Sequence, residues 1–300
     1  MYRLDKFNPA RLVFASAFII SISSVGVIFI FLVRGSIPVF GREGLGFLTG
    51  RDWYPGAVYG ALPMIYGTAV VTFIAISIAL PLGLGSAIIT SEVLSGRSRL
   101  FIKMVMELMA GIPGVVYGLL GIVILTTAVK NLFGLIDGNS IFTAGVLLAM
   151  MVLPTIMTLS EDALRAVPEE FREQALALGL TRPESILYIV LPEAKKGIVS
   201  AVLLGVGRAM GETIAVMLVI GSLDRIPEPF YNVFTAAQTI TSKLGRESAE
   251  ALGVGYHWNA LVALGLVLFV MVMGVTLMGD LFIITSRRPG VFRNISGKQR

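Results

Sequence analysis

The chain has 300 residues, of which 55% are hydrophobic and only 14% charged, whereas a soluble domain carries about 25% charged residues. With a mean hydropathy of +0.84, this is the profile of a polytopic membrane protein. It holds no cysteine and a single histidine, His257; that excludes a disulfide framework or a thiolate site and argues against a multi-histidine metal centre.

A membrane-spanning helix needs about 20 mainly apolar residues. Six stretches qualify: 12–33, 65–90, 104–129, 141–160, 197–221 and 260–285. The first follows Arg3, Lys6 and Arg11, but its apolar run exceeds that of a signal peptide. Arg34-Gly35-Ser36-Ile37-Pro38 then offers no small-x-small cleavage site, so it reads as an uncleaved span. The second contains Pro81-Leu82-Gly83-Leu84-Gly85, tolerable where neighbouring helices re-satisfy the backbone. Small-residue pairs at Gly114/Gly118 and Gly207/Gly211 suit close helix packing.

Six spans put both termini on one side. That side, comprising 1–11, the loops 91–103 and 161–196, and 286–300, carries 16 of the 24 basic residues. The opposite loops 34–64, 130–140 and 222–259 carry 7, and Arg208 lies inside a span. Basic residues are retained on the cytoplasmic face, so the termini and the 161–196 loop are expected there. The net charge of +5 therefore reflects membrane orientation and not nucleic-acid binding. Trp53, Tyr54, Tyr231, Tyr256 and Trp258 in the outer loops fit a headgroup belt, with docking of an external partner as the alternative; His257 reads as interfacial. Asn294-Ile295-Ser296 has a glycosylation pattern on the cytoplasmic side, where it means nothing. No Gly-x-x-x-x-Gly-Lys-Ser/Thr occurs, so ATP chemistry would have to come from another chain.

The most charged passage is 161–196. Pro168, Glu169 and Glu170 suit the first turn of a short helix. Phe171, Ala175 and Leu178 then fall on one face, and Gly179 is a natural stop. Thr181-Arg182-Pro183-Glu184 has the form of a capping box opening a second helix, which Pro192 is expected to close before the next span. A helix this short needs a surface to bury its apolar face. With Glu169, Glu170 and Glu173 on it, a groove of a soluble partner fits better than an anionic lipid surface.

The run Glu173-Gln174-Ala175-Leu176-Ala177-Leu178-Gly179, nine residues, then Ile189-Val190-Leu191-Pro192 resembles the EAA loop of ABC importer permeases; only Gln174, for alanine, departs. The resemblance implies an all-α integral membrane fold of the type I importer permeases, with cytoplasmic coupling helices. It also implies a transport subunit and not an enzyme, driven by a separate ATPase using ATP with Mg. Phe171, Glu173, Ala175 and Gly179 take the coupling role, Phe171 by position.

Span five carries Gly207-Arg208-Ala209-Met210-Gly211-Glu212-Thr213. Arg208 falls roughly 16 Å in from Gly197 at 1.5 Å per residue, near the bilayer centre. A charge there is costly and faces a cavity or a partner. Four residues apart on a continuous helix, Arg208 and Glu212 share a face and can pair; the pair then serves either simply to permit insertion or to offer a guanidinium fork to an oxyanion. Glu107 and Asp280 lie near span ends, where snorkelling explains them. Span five, with Ala110-Gly111-Ile112-Pro113-Gly114-Val115-Val116-Tyr117-Gly118, resembles the phosphate-importer permeases of the PstC type. The apolar continuation Ile214-Ala215-Val216 separates it from the sister PstA type, which tends to have Ala-Pro there.

The resemblance covers about 60–285 and implies phosphate passage by Arg208 and Glu212, flanked by Thr213 and Tyr117. It implies no cofactor bound by this chain and a location in a prokaryotic plasma (inner) membrane. Implied partners are a homologous PstA-type permease, a PstB-type ATP-binding dimer, a PstS-type phosphate-binding protein and lipid. Rival readings are another oxyanion (molybdate, tungstate or sulfate) or an ATP-independent anion channel. An intramembrane hydrolase lacks support, because the spans hold no histidine or cysteine.

Overall fold

The structure, a computed structural model, describes residues 9–253 and 255–285; the terminal segment 286–300 and most of 1–11 lie outside the described residues. In chain order the helices are α1 (Pro9–Glu43), α2 (Gly46–Thr49), α3 (Leu62–Ile88), α4 (Gly96–Gly111), α5 (Gly114–Leu120), α6 (Thr126–Phe133), α7 (Ile141–Arg165), α8 (Glu169–Ala177), α9 (Arg182–Ser185), α10 (Leu191–Gly211), α11 (Ile214–Val219), α12 (Ile240–Ala251) and α13 (Gly255–Thr285). A two-stranded hairpin, β1 (Trp53–Tyr54) and β2 (Val58–Tyr59), precedes α3. Wider π turns extend α3 through Val93, join α5 to α6 over Gly121–Leu125, and join α9 to α10 over Ile186–Val190.

Among the described residues, five helices are long and apolar enough to cross a membrane: Val13–Glu43, Leu62–Val93, Gly114–Phe133, Ile141–Arg165 and Gly255–Leu281. The sixth crossing is made in two pieces, α10 and α11. Lys195, Lys196 and Arg208 lower the hydropathy of α10, yet its 21 residues span about 31 Å. α7 is the central helix, with Leu147, Leu148, Met151, Val152 and Ile156 all buried. A helix apolar all round is one surrounded by protein; α3, α10, α4 and α11 pack around it.

Three expectations are revised. The apolar run 104–129 is not one helix: it breaks at Ile112-Pro113, whose backbone is extended, because proline lacks an N–H and pushes the preceding residue out of the helical region. Glu107 therefore belongs to α4, on an exposed position. Pro192 does not close the second helix of the 161–196 loop; α9 continues into α10 through the π turn, which opens the backbone just where the proline ring would meet a preceding carbonyl. The outer aromatics do not all form a belt. Trp53 and Tyr59 are buried, their rings packed edge to face with centroids 4.9 Å apart, and Tyr256 and His257 pack on Tyr59. The hairpin folds inward against α12 and α13 as a small core of its own.

Candidate functional site: two helix breaks and a coupling loop

The two breaks meet. Span five is interrupted at Glu212, which is extended (φ −72°, ψ 127°), before α11 resumes at Ile214. α11 packs against α5. The contact is close because of glycine: a Cβ at Gly118 would stand 2.9 Å from Ala215 Cα, and one at Gly114 2.8 Å from Glu212 Oε1. The Gly114/Gly118 pair is thus a packing surface. Gly207 and Gly211 have nothing of this chain within 4 Å of an added Cβ.

Arg208 and Glu212 do not pair. The break rotates them apart, and each is met by helix ends of opposite sign. Arg208, in the last turn of α10, donates through Nη1 to Thr155 Oγ1 at 2.8 Å and through Nη2 to the carbonyl of Ala110 at 3.4 Å. It therefore sits at the C-terminal ends of both α10 and α4, where the partial negative charge of unpaired carbonyls favours a cation. Glu212 Oε1 accepts the Ala215 amide at 3.2 Å, and its carboxylate lies over the start of α5 at Gly114. It is at two N-terminal ends, the positive ones.

The remaining residues lock this junction. Tyr117 is buried and its hydroxyl donates to the Met109 carbonyl at 3.0 Å, bridging the first break. Its proton is thus directed at the backbone. Thr213 forms the second break and abuts α12: a Cβ on Gly245 would lie 2.6 Å from its Cγ2. Thr241, at the start of α12, donates to the Glu212 carbonyl at 2.7 Å. Arg208, Glu212 and Thr213 are half-buried. A guanidinium has five N–H donors, and Arg208 commits two of them here, so the site retains capacity for an oxyanion.

Behind α12 lies a buried charge cluster that sequence reasoning missed. Lys243 is 2% exposed and pairs with Asp224 and with Glu247, the latter at 2.5 Å; Glu247 faces His257 Nε2 at 3.4 Å. Burial pushes the Asp224 carboxyl above its ordinary range despite Lys243. The i, i+4 spacing of Lys243 and Glu247 was visible in the sequence; the return of Asp224 against them was not.

At the other end, α8 begins directly after Pro168. Gly179 has φ +86°, and the amides of Leu180 and Gly179 bond back to Ala175 and Leu176 at 3.1 and 3.0 Å, the Schellman arrangement that needs a left-handed residue. The capping box is present: Glu184 accepts from the Thr181 amide at 2.8 Å and the Thr181 hydroxyl at 2.7 Å, and these bonds hold the carboxyl below its ordinary range. The apolar face of α8 is divided. Ala175 is 2% exposed, against the chain's own π turn, whereas Phe171 is 41% and Leu178 82% exposed. Glu173 is also exposed. Phe171 and Leu178 thus leave apolar surface open on one side of α8 beside acidic residues, and Leu176 is exposed on another.

The region 79–284 matches the family described as the binding-protein-dependent transport system inner membrane component. The chain belongs to this family of ABC importer permeases. The permease is 37% identical to the phosphate transport system permease protein PstC of Mesorhizobium japonicum, covering 85% of this chain and 83% of the relative. It is 35% identical to the probable ABC transporter permease protein YqgH of Bacillus subtilis, covering 90% and 88%. Among solved structures it is similar to a chain of a bacterial alginate ABC transporter, with TM-score 0.63, 14% identity and coverage of 90% of the permease and 93% of that chain. A methionine transporter, MetNI, in an inward-facing conformation gives TM-score 0.56 at 17% identity, covering 76% and 95%. At these identities the two structures speak for the fold alone. The permease is accordingly a multi-pass membrane transport subunit and not an enzyme.

Proposed function

We propose that this permease carries inorganic phosphate inward, with Arg208 as the anion contact and alternating access driven from the 161–196 loop. The observation that carries the reading is the half-buried Arg208 beside two broken helices. Discontinuous helices near the bilayer midplane are where transporters place their substrate contacts. PstC-named relatives at 33–37% identity support phosphate as the cargo.

In this reading Arg208 receives the oxyanion through its free fork edge. Among the described residues, Glu212 Oε2 has no hydrogen bond, and it accepts one from a protonated phosphate oxygen; sulfate, with no such proton, is repelled. Thr213 lines the break next to them, and Tyr117 holds its geometry. The working assembly pairs this chain with a PstA-type permease, a PstB-type ATP-binding dimer using ATP with Mg, and a PstS-type binding protein, in a prokaryotic inner membrane with both termini cytoplasmic. Phe171 and Leu178 dock in the ATPase groove, with Glu173, Ala175 and Gly179 shaping the docking helix. No cofactor is assigned to this chain itself.

The test is uptake of phosphate and sulfate by the assembled transporter with wild-type chain and with Glu212→Gln. The expected result is selective phosphate uptake by the wild type and lost discrimination in the variant. Uptake of molybdate or tungstate in preference to phosphate would overturn the cargo; unchanged phosphate flux and selectivity in the variant would remove Glu212 from the path.

A further inference from the structure

The best-satisfied charged side chain near the coupling loop is one that the motif does not include. Arg172 lies on α8, one position after Phe171, and turns inward. Its Nη2 and Nε donate to the two oxygens of Glu92 at 2.9 and 3.1 Å. Glu92 stands on the π turn that ends α3, 80 residues away in the chain. The same guanidinium donates through Nη2 to the Leu164 carbonyl at 3.0 Å and through Nη1 to the Val167 carbonyl at 2.7 Å. These carbonyls belong to the last turn of α7 and the link just beyond it, where backbone acceptors lack the i+4 amide of a continuing helix.

One side chain thus joins three elements: the docking helix, the end of α3 and the end of α7. Both charged partners are largely shielded, at 16% and 8% side-chain exposure. The forked geometry uses both carboxylate oxygens, so rotation of α8 cannot occur without moving Glu92 and the α7 terminus. α7 in turn carries Thr155, ten residues nearer the membrane centre, which holds Arg208. A second set of ties stiffens the same end: buried Glu161 on α7 receives Arg99 and Lys103 from α4, and α4 presents Ala110 to Arg208. Both helices that grip Arg208 are therefore anchored at their cytoplasmic-loop ends.

We propose that Arg172 is the positioning residue through which displacement of α8 is delivered to α3 and α7, and so to the Arg208 junction. This rests on the proposed role of the loop in ATP coupling. A lysine has one ammonium and no fork, so Arg172→Lys keeps the charge but only part of the joint. Glu92→Gln keeps the carbonyl contacts to α7 and loosens α3 alone.

The permease has no cysteine, so a single Thr213→Cys reports opening of the junction to an externally added thiol reagent, whatever the cargo. In the complete reconstituted transporter, ATP should change the labelling rate of this cysteine. Adding Arg172→Ala should reduce that ATP-dependent change at least fivefold while ATPase activity and co-purification of the ATPase stay within twofold; Arg172→Lys and Glu92→Gln should fall between. An unaltered labelling response in Arg172→Ala would overturn the proposal. So would loss of the ATPase from that complex, which would make Arg172 a docking residue. Phosphate uptake measured on the wild-type transporter tests the cargo separately, since the labelling response requires no particular anion.

Discussion

Arg208 on α10 donates a 2.8 Å hydrogen bond to Thr155 on α7, 53 residues earlier in the chain. The bond fixes the guanidinium against the central helix instead of against Glu212. Hydrogen bonds to charged groups contribute about 1.5–3 kcal/mol. Thr155→Val, which keeps the shape and removes the acceptor, should lower phosphate uptake roughly tenfold or more. Thr155→Ser should stay near wild type. Initial uptake rates over a range of phosphate concentrations check both.

The junction of α5 and α11 predicts a contrast between two glycines. Gly118→Ala places a methyl 2.9 Å from the backbone Cα of Ala215, whereas Gly207→Ala meets nothing within 4 Å. Overpacking costs about 1–3 kcal/mol. Thermal unfolding in detergent should show Gly118→Ala destabilised and Gly207→Ala unchanged or slightly stabilised, since alanine is the better helix former.

Lys243 should be the most sensitive position in the outer loops. Removing one partner of a buried pair costs about 3–5 kcal/mol, so Lys243→Met should unfold well below wild type, leaving Asp224 and Glu247 uncompensated. Asp224→Asn should cost much less. The carboxyl of Asp224 is raised above its ordinary 3.8 by burial, with Glu247 adding to the rise and Lys243 and Arg246 opposing it. A raised folded-state value means its contribution is present below 3.8 and lost as pH rises through the folded value. The melting temperature of wild type should therefore fall relative to Asp224→Asn over that window as pH rises.

These residues also separate what the sequence announces from what it conceals. Gly179, Thr181 and Glu184 could be read directly, because caps and stops are made from neighbours within a few residues. Five spans follow from apolar length in the same way. The breaks were less accessible. Ile112-Pro113 carries its signal in the proline, but an apolar run around it reads as one span; Glu212 interrupts its helix with only Gly211 before it. Pairing Arg208 with Glu212 was the natural reading of an unbroken helix, and it fails once helix ends supply each charge with a partner. Arg172 and Glu92 stand 80 residues apart, and no local pattern connects them. The belt reading misplaced Trp53 for a similar reason: its burial depends on α12 and α13 returning over the hairpin.

The coupling loop gives a prediction at Gly179, whose φ is +86°. A side chain in the left-handed region costs about 1–2 kcal/mol. Gly179→Ala should fray the end of α8, turn Phe171 and Leu178 out of register, and reduce the amount of ATPase that co-purifies. Gly179→Asn should be milder, because asparagine tolerates this conformation. Quantifying the ATPase retained on the affinity-purified permease decides between them.

The most direct measurement is phosphate uptake by the assembled transporter carrying Arg208→Ala, with ATP hydrolysis followed in parallel. The account predicts that uptake falls at least a hundredfold while the ATPase remains bound and active, because the anion contact is lost and the coupling loop is untouched. Uptake at the wild-type rate would contradict it, placing phosphate passage elsewhere than at the junction of the two broken helices.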